Sequence, residues 1–161
     1  MVLKLKGVFA INPTIKELVR SKRYAAGIKT RKHGHEEDDL QECFADWLTS
    51  MKILFTASCA GMRTSMKVAI KMKKMGAKKG FPDILILEPV GQYHGLFIEV
   101  KIKGGSASCE QKEWRDALNA KRYHSVIMPT NLSFAEGMQW LKKTVMDYMN
   151  HRIRIAERKL K

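Results

Sequence analysis

Apolar residues return at helical spacing early in the chain. Leu40, Cys43, Phe44, Trp47 and Leu48 fall on one side of a 3.6-residue helix. The spacing predicts a helix from about Glu37 to Met51 with that stripe buried. The run Glu36, Glu37, Asp38 and Asp39 opens it, and carboxylates suit a helix N-terminus through the dipole. A short strand, Ile53 to Thr56, is expected next. Residues 63–79 are basic and helix-prone, with Lys67, Lys71, Lys74 and Lys78 on one helical face. Val68, Met72 and Met75 lie on another face, which reads as core packing, and Gly76 is a plausible stop. Two apolar runs then carry strand character, Ile84–Leu87 and Leu96–Lys101. The segment EPVGQYHG joins them as a turn, giving a β-hairpin. After Gly104-Gly105, Ser108 and Gln111 have the spacing of a capping box, predicting a helix to about Lys121. Tyr123–Met128 reads as a strand. Ser133 and Glu136 form a second capping box, opening a helix to about Tyr148.

Charge changes this picture of an ordinary α/β domain. The 161 residues carry 30 Lys and Arg against 16 Asp and Glu, a formal net charge of +14. Such an excess repels itself in a compact chain, and a polyanion relieves that repulsion. Nucleic acid is the leading candidate partner, with an anionic membrane surface as the rival. No stretch approaches the roughly 20 apolar residues of a membrane span, and no secretory signal is visible. The three cysteines form no CxxC pair, and the five histidines are scattered. Reduced thiols in a cytoplasmic protein, without structural zinc, are the simplest reading. Residues 1–35 form a basic lead segment whose only acid is Glu17, with a short helix after Asn12-Pro13. It is either a nucleic-acid contact or a plain structural arm. The basic tail beyond Asn150 either frays or extends the last helix. The division expected is therefore 1–35 extension, 36–150 domain and 151–161 tail.

The hairpin carries the chemistry. If its turn centres on Gly91, Asp83 lies directly opposite Glu99 across the antiparallel pair. Glu99 and Lys101 are two apart and share a face. Two opposed carboxylates repel, and a divalent cation together with the nearby ammonium compensates them. Hard cations such as Mg²⁺ take oxygen ligands and polarise phosphoryl groups. Lys101, kept charged by its carboxylate neighbours, suits orientation and electrostatic roles better than general-base action. An ExK triplet alone is weak, and so is GFPD alone. The two joined in register by one hairpin are much more specific.

These residues resemble a known family. GFPD at 80–83, GLFIEVK at 95–101 and EQKEW at 110–114 look like the VRR-NUC nucleases of the PD-(D/E)XK superfamily. The resemblance covers about residues 36–148 and includes the upstream Glu37, Leu40 and Gln41. Short stand-alone members, common in bacteriophages, are the closest in layout. The resemblance implies that Asp83, Glu99 and the Val100 backbone carbonyl hold a metal. Glu37 completes the site, with Glu36 the alternative if the alignment slips by one. Lys101 is implied as the catalytic lysine. Gln111 matches a family glutamine near the site, although its capping box explains it equally well. Gln41 either approaches the site or covers its helix face. Members often carry an Asn-Gly-rich stretch where this chain has Ser58-Cys59-Ala60-Gly61, which leaves the substrate-facing loop open.

The fold expected is thus α/β, a restriction-endonuclease-like PD-(D/E)XK core with a small mixed β-sheet flanked by helices. The activity expected is Mg²⁺- or Mn²⁺-dependent hydrolysis of DNA, with no small-molecule cofactor and no membrane partner. Arg63, Lys67, Lys71, Lys74, Lys78 and Lys79 are the candidate DNA contacts. The resemblance to stand-alone members points to branched DNA, such as four-way junctions, and to a homodimer, because two paired cuts need two sites. Trp140, Val145 and Met149 on the last helix either supply dimer contacts or belong to the core. The rivals are a flap-directed, end-directed or restriction-type nuclease of the same fold, a non-catalytic nucleic-acid-binding protein, and a basic structural protein of a phage particle.

Overall fold

The apolar stripes find each other across a four-stranded sheet. The computed structural model describes residues 36–58 and 65–150. The basic lead segment with its expected short helix, Arg63, and the tail 151–161 lie outside the described residues. Helix α1 (Glu36–Ser50) comes first, then β1 (Phe55–Ala57), α2 (Met66–Lys74), β2 (Ile84–Ile86), β3 (Leu96–Glu99), α3 (Cys109–Ala120), β4 (His124–Ile127) and α4 (Phe134–Met149). The sheet order is β1-β2-β3-β4. Its first two pairings are antiparallel, and β3 pairs with β4 in parallel across the α3 crossover. The expected mixed α/β architecture is what forms.

One face of the sheet, with Ile84, Ile86, Leu96 and Ile98, packs against α1 and α4. From α1 it receives Leu40, Cys43, Phe44, Trp47 and Leu48, the whole predicted stripe. From α4 it receives Phe134, Met138, Leu141, Val145 and Tyr148. Val145 is therefore core, and Trp140 and Met149 pack against the core half-buried. Lys142 is buried between the two helices with its ammonium 5.6 Å from the Trp47 ring centroid, a cation–π arrangement. The other face carries an aromatic layer. Phe97 meets Phe81 and Tyr123 edge-on, and Phe81 meets Trp114 of α3.

An offset just below the hairpin turn sets the register that the site needs. Val90 and Tyr93 exchange both backbone hydrogen bonds at 3.0 Å around Gly91-Gln92. Gly91 has φ 66°, the value a type II′ turn asks of its first central residue. The ladder below pairs Ile84 with Ile98 and Ile86 with Leu96, one residue out of step with the tip. The extra residue sits within 87–89, where Pro89 has no N–H to give a ladder. Because of that irregularity, the last ladder pair is Ile84 with Ile98, and one further step in the same register sets Asp83, just before β2, across from Glu99.

Three expectations are corrected. The first strand is Phe55–Ala57, shifted from Ile53–Thr56, because Lys52 takes a left-handed φ of 56° and lengthens the turn after α1. Helix α2 stops at Lys74, so Lys78 lies beyond it and does not share its lysine face. The Met-rich stripe is not core: α2 buries no residue, Met75 is 76% exposed and Met72 alone is half-covered.

Candidate active site

The carboxyl end of β3 is where the chemistry-bearing side chains gather, as expected for an open α/β sheet. Glu99 ends the strand, and both it and Lys101 are buried. The Lys101 ammonium lies 2.7 Å from Glu99 Oε1 and 3.5 Å from Glu37 Oε1 at the start of α1. It bridges a carboxylate of the sheet and one of the helix. Asp83, just before β2, accepts a 2.9 Å hydrogen bond at Oδ2 from the Val100 N–H. The Gln111 side-chain amide, from the first turn of α3, donates to Glu99 Oε1. Glu99 Oε1 therefore has two donors, while Glu99 Oε2 is buried without a hydrogen-bond partner. A buried carboxylate oxygen left unpaired is costly and rare.

The electrostatics follow from this crowding. Burial, and then the charge of Asp83, push the Glu99 carboxyl up to about 7, against the opposing pull of Lys101. Burial also raises the Asp83 carboxyl, partly offset by the Val100 N–H and the Lys101 charge. For Lys101, burial alone would favour the neutral amine. The hydrogen bond to Glu99 and the surrounding carboxylates outweigh it, and the net shift is upward. The lysine is held as an ammonium, which has no lone pair with which to act as a base.

The catalytic and metal-holding candidates meet at this point. Asp83, Glu99, Lys101, Glu37, Gln111 and the Val100 backbone all lie within one hydrogen-bonded cluster. Glu37 reaches the ammonium, whereas Glu36 lines a shallow depression with Lys103, Ser133 and the Lys101 stem. Gln41 sits one turn further along α1, half-buried. Among the described residues, no three His, Cys, Asp or Glu side chains converge as a ready-made metal-binding group. The Lys101 ammonium stands between Glu37 and Glu99, so the carboxylates available together are Asp83 and Glu99. The donor set that remains is two carboxylates, one of which, Glu99, has an unpaired buried oxygen. That set fits a hard divalent cation, which needs only one or two carboxylates beside solvent and phosphate oxygens. Away from the cluster, Lys67, Lys71, Lys74, Lys78 and Lys79 are all exposed. Sequence reasoning gave no role to Gly80 or Trp114. Their contacts with distant segments leave no periodic signature in the chain.

The chain is similar to known proteins of one family. Residues 21–129 match the VRR-NUC domain family, 109 of the 161 residues. A solved structure described as a VRR_NUC domain protein aligns with a TM-score of 0.55 at 27% identity, covering 73% of this chain and 90% of the other. No curated protein matches the chain. No helix among the described residues is long and apolar enough to cross a membrane. The matched residues include the hairpin with Asp83, Glu99 and Lys101, and the chain belongs to the VRR-NUC domain family, nucleases of the restriction-endonuclease-like kind whose substrate is DNA.

Proposed function

We propose that this nuclease hydrolyses phosphodiester bonds in DNA with a divalent cation, Mg²⁺ or Mn²⁺, held by Asp83 and Glu99. The observation that carries the reading is the buried, unpaired Glu99 Oε2 beside Asp83, with Lys101 engaged at the other Glu99 oxygen. When bound, the cation supplies Lewis-acid polarisation of the phosphoryl group. The Val100 carbonyl lies at the same strand end and is a further candidate ligand. Lys101, kept charged, donates to the oxygens on which negative charge grows during cleavage, and Glu37 steadies its ammonium. Gln111 orients Glu99 through its amide. The exposed lysines Lys67, Lys71, Lys74, Lys78 and Lys79, with Arg63, contact DNA phosphates. Branched DNA such as a four-way junction is the preferred substrate, cut by a homodimer in the cytoplasm. The nuclease unit is 36–150, and the segments 1–35 and 151–161 are basic extensions.

The test compares wild type with Asp83→Asn and Glu99→Gln on labelled duplex, single strand, flap and four-way junction, in Mg²⁺, Mn²⁺, Ca²⁺ and EDTA. Both variants should lose cleavage and keep DNA binding in EDTA. Wild-type cleavage rates in either variant would remove these carboxylates from the site. A preference for flaps or ends over junctions would replace the junction reading while leaving the metal site in place.

A further inference from the structure

Both halves of the site touch one element, the first turn of α3. On one side, Ser108 caps the helix, and its backbone N–H donates to Gln111 Oε1 at 2.9 Å while its Oγ accepts from the Gln111 N–H at 3.3 Å. A backbone N–H can only donate, so the Gln111 amide oxygen is fixed on Ser108 and its NH₂ must face Glu99. A flipped amide would set donor against donor at Ser108 and oxygen against carboxylate at Glu99. The capping box therefore decides which end of Gln111 the buried carboxylate meets.

On the other side, the segment leading to Asp83 lies directly on the same turn. Gly80 has φ +77°, and a Cβ there would come within 2.8 Å of the Glu110 backbone carbon and 2.9 Å of the Gln111 nitrogen. Lys79 pairs with Glu110 at 2.7 Å, and Trp114 Nε1 donates to the Lys79 carbonyl at 3.1 Å. Phe81 packs edge-on to Trp114 with centroids 5.0 Å apart. Asp83 follows two residues later.

We propose that the first turn of α3 is a positioning clamp for the two site carboxylates, with Ser108 locking the Gln111 amide onto Glu99 and the close contact of Gly80 holding the segment that carries Asp83. Ser108 and Gly80 touch neither substrate nor cation; they act through Gln111 and through the 79–83 segment. The proposal rests on the reading of Asp83 and Glu99 as the cation-holding pair.

The molecule supplies its own controls. Ser133 and Glu136 form a second capping box at α4, but there the Glu136 carboxylate turns back on the Ser133 N–H and hydroxyl. Gly76 shares the left-handed backbone at φ +99°, yet a Cβ there meets nothing within 4 Å. The experiment titrates Mn²⁺ by calorimetry into wild type, Ser108→Ala, Ser108→Thr, Ser133→Ala, Gly80→Ala and Gly76→Ala. It also follows the Gln111 side-chain amide by ¹H–¹⁵N NMR in the metal-free proteins. Ser108→Ala and Ser133→Ala should lose similar melting temperature. Ser108→Ala keeps the backbone N–H on the Gln111 amide oxygen but removes the hydroxyl that pins the Gln111 backbone, so the first turn loosens and the amide with it. Of the two serine-to-alanine variants only this one should weaken Mn²⁺, by roughly 10-fold or more as for other groups that orient metal ligands, and shift or broaden the Gln111 amide. Ser108→Thr should restore both signals. Gly80→Ala should weaken Mn²⁺ and Gly76→Ala should not; if Gly80→Ala does not fold, the Ser108 series decides. Equal behaviour of Ser108→Ala and Ser133→Ala in both readouts would overturn the clamp. Failure of the wild type to bind Mn²⁺ would instead sink the metal reading, and the Gln111 amide would then decide the clamp alone.

Discussion

Helix α1 turns its apolar stripe into the core, with Phe44 and Leu48 at 0% exposure, whereas α2 leaves Met66 80% and Ile70 50% exposed. Both helices alternate charge with apolar residues, so the difference lies in what each one meets. The α1 stripe is continuous and wide, and α4 with the sheet offers it a matching surface. In α2 the apolar residues split into two strips, Met66 with Ile70 and Val68 with Met72 and Met75. Lysines separate them, and neither strip is wide enough to bury a helix of nine residues. Their charges differ as well. Helix α1 brings an acidic N-terminus to the buried cluster through Glu37, while α2 presents a lysine face to solvent. One helix builds the site, and the other is free to meet a polyanion.

The largest contrast should appear in stability. Phe44→Ala empties a fully buried position in α1 and should cost about 3–5 kcal/mol. Ile70→Ala removes a half-exposed side chain from α2 and should stay within about 0.5 kcal/mol. Urea unfolding of both variants measures this. A large loss for Ile70→Ala would mean that α2 is held against the body after all.

That contrast also marks where the chain's sequence was legible. The α1 stripe was readable because five apolar residues at helical spacing leave one way to bury them. The opposition of Asp83 and Glu99 was readable from a count centred on Gly91, but the turn itself sits one residue out of step with the ladder, and the extra residue within 87–89 that restores the opposition left no mark in that count. The Ser108 box was readable as a helix start, since capping is local. The exposure of α2 was not, because periodicity reports a stripe and not the presence of a partner for it. Nor was the orientation of the Gln111 amide toward Glu99, which joins a helix cap to a strand end through tertiary packing. The contact of Gly80 with Glu110, 30 residues away, is of the same kind.

A smaller effect separates the two helices in binding. Replacing Lys67, Lys71 and Lys74 with Ala strips the lysine face of α2 without touching the core. Each phosphate contact contributes about 0.9 to the slope of log affinity against log salt, so the slope should fall by about 2–3. Affinity at moderate salt should drop roughly 10–100-fold on that basis, with the melting temperature unchanged. Fluorescence titration of labelled duplex at several salt concentrations gives the slope. An unaltered slope would confine α2 to solvent and move the DNA contacts elsewhere on the surface.

The smallest effect concerns protons at the α1 end of the molecule. Glu99 rises from 4.5 in its ordinary state to about 7 in the fold. Between those values the folded chain binds more protons than the unfolded chain, so this group's contribution to stability falls as pH rises. It is fully present below about 4.5 and lost as pH climbs through about 7. Asp83, also raised, adds with the same sign. Other groups titrate over the same range, and the Glu99→Gln variant removes this one alone. The difference in melting temperature, wild type minus Glu99→Gln, measured in EDTA, should therefore decrease from pH 5 to pH 8. A few degrees is the expected order, since 1 kcal/mol moves the midpoint of a chain this size by roughly 2–4 °C. Mn²⁺ should reverse the trend for wild type, because the ionised pair is the form that holds a cation. Glu37→Gln sharpens the test. Its charge is the weakest of the influences that raise Glu99, and its side chain is 37% exposed, so salt screens it. Removing it should flatten the pH dependence slightly, whereas removing charge from α2, as in the Lys67, Lys71 and Lys74 variant, should leave the dependence as it was. An unchanged dependence in Glu37→Gln would place the α1 carboxylate outside the field of the buried pair, and a steeper one would reverse the sign of its effect.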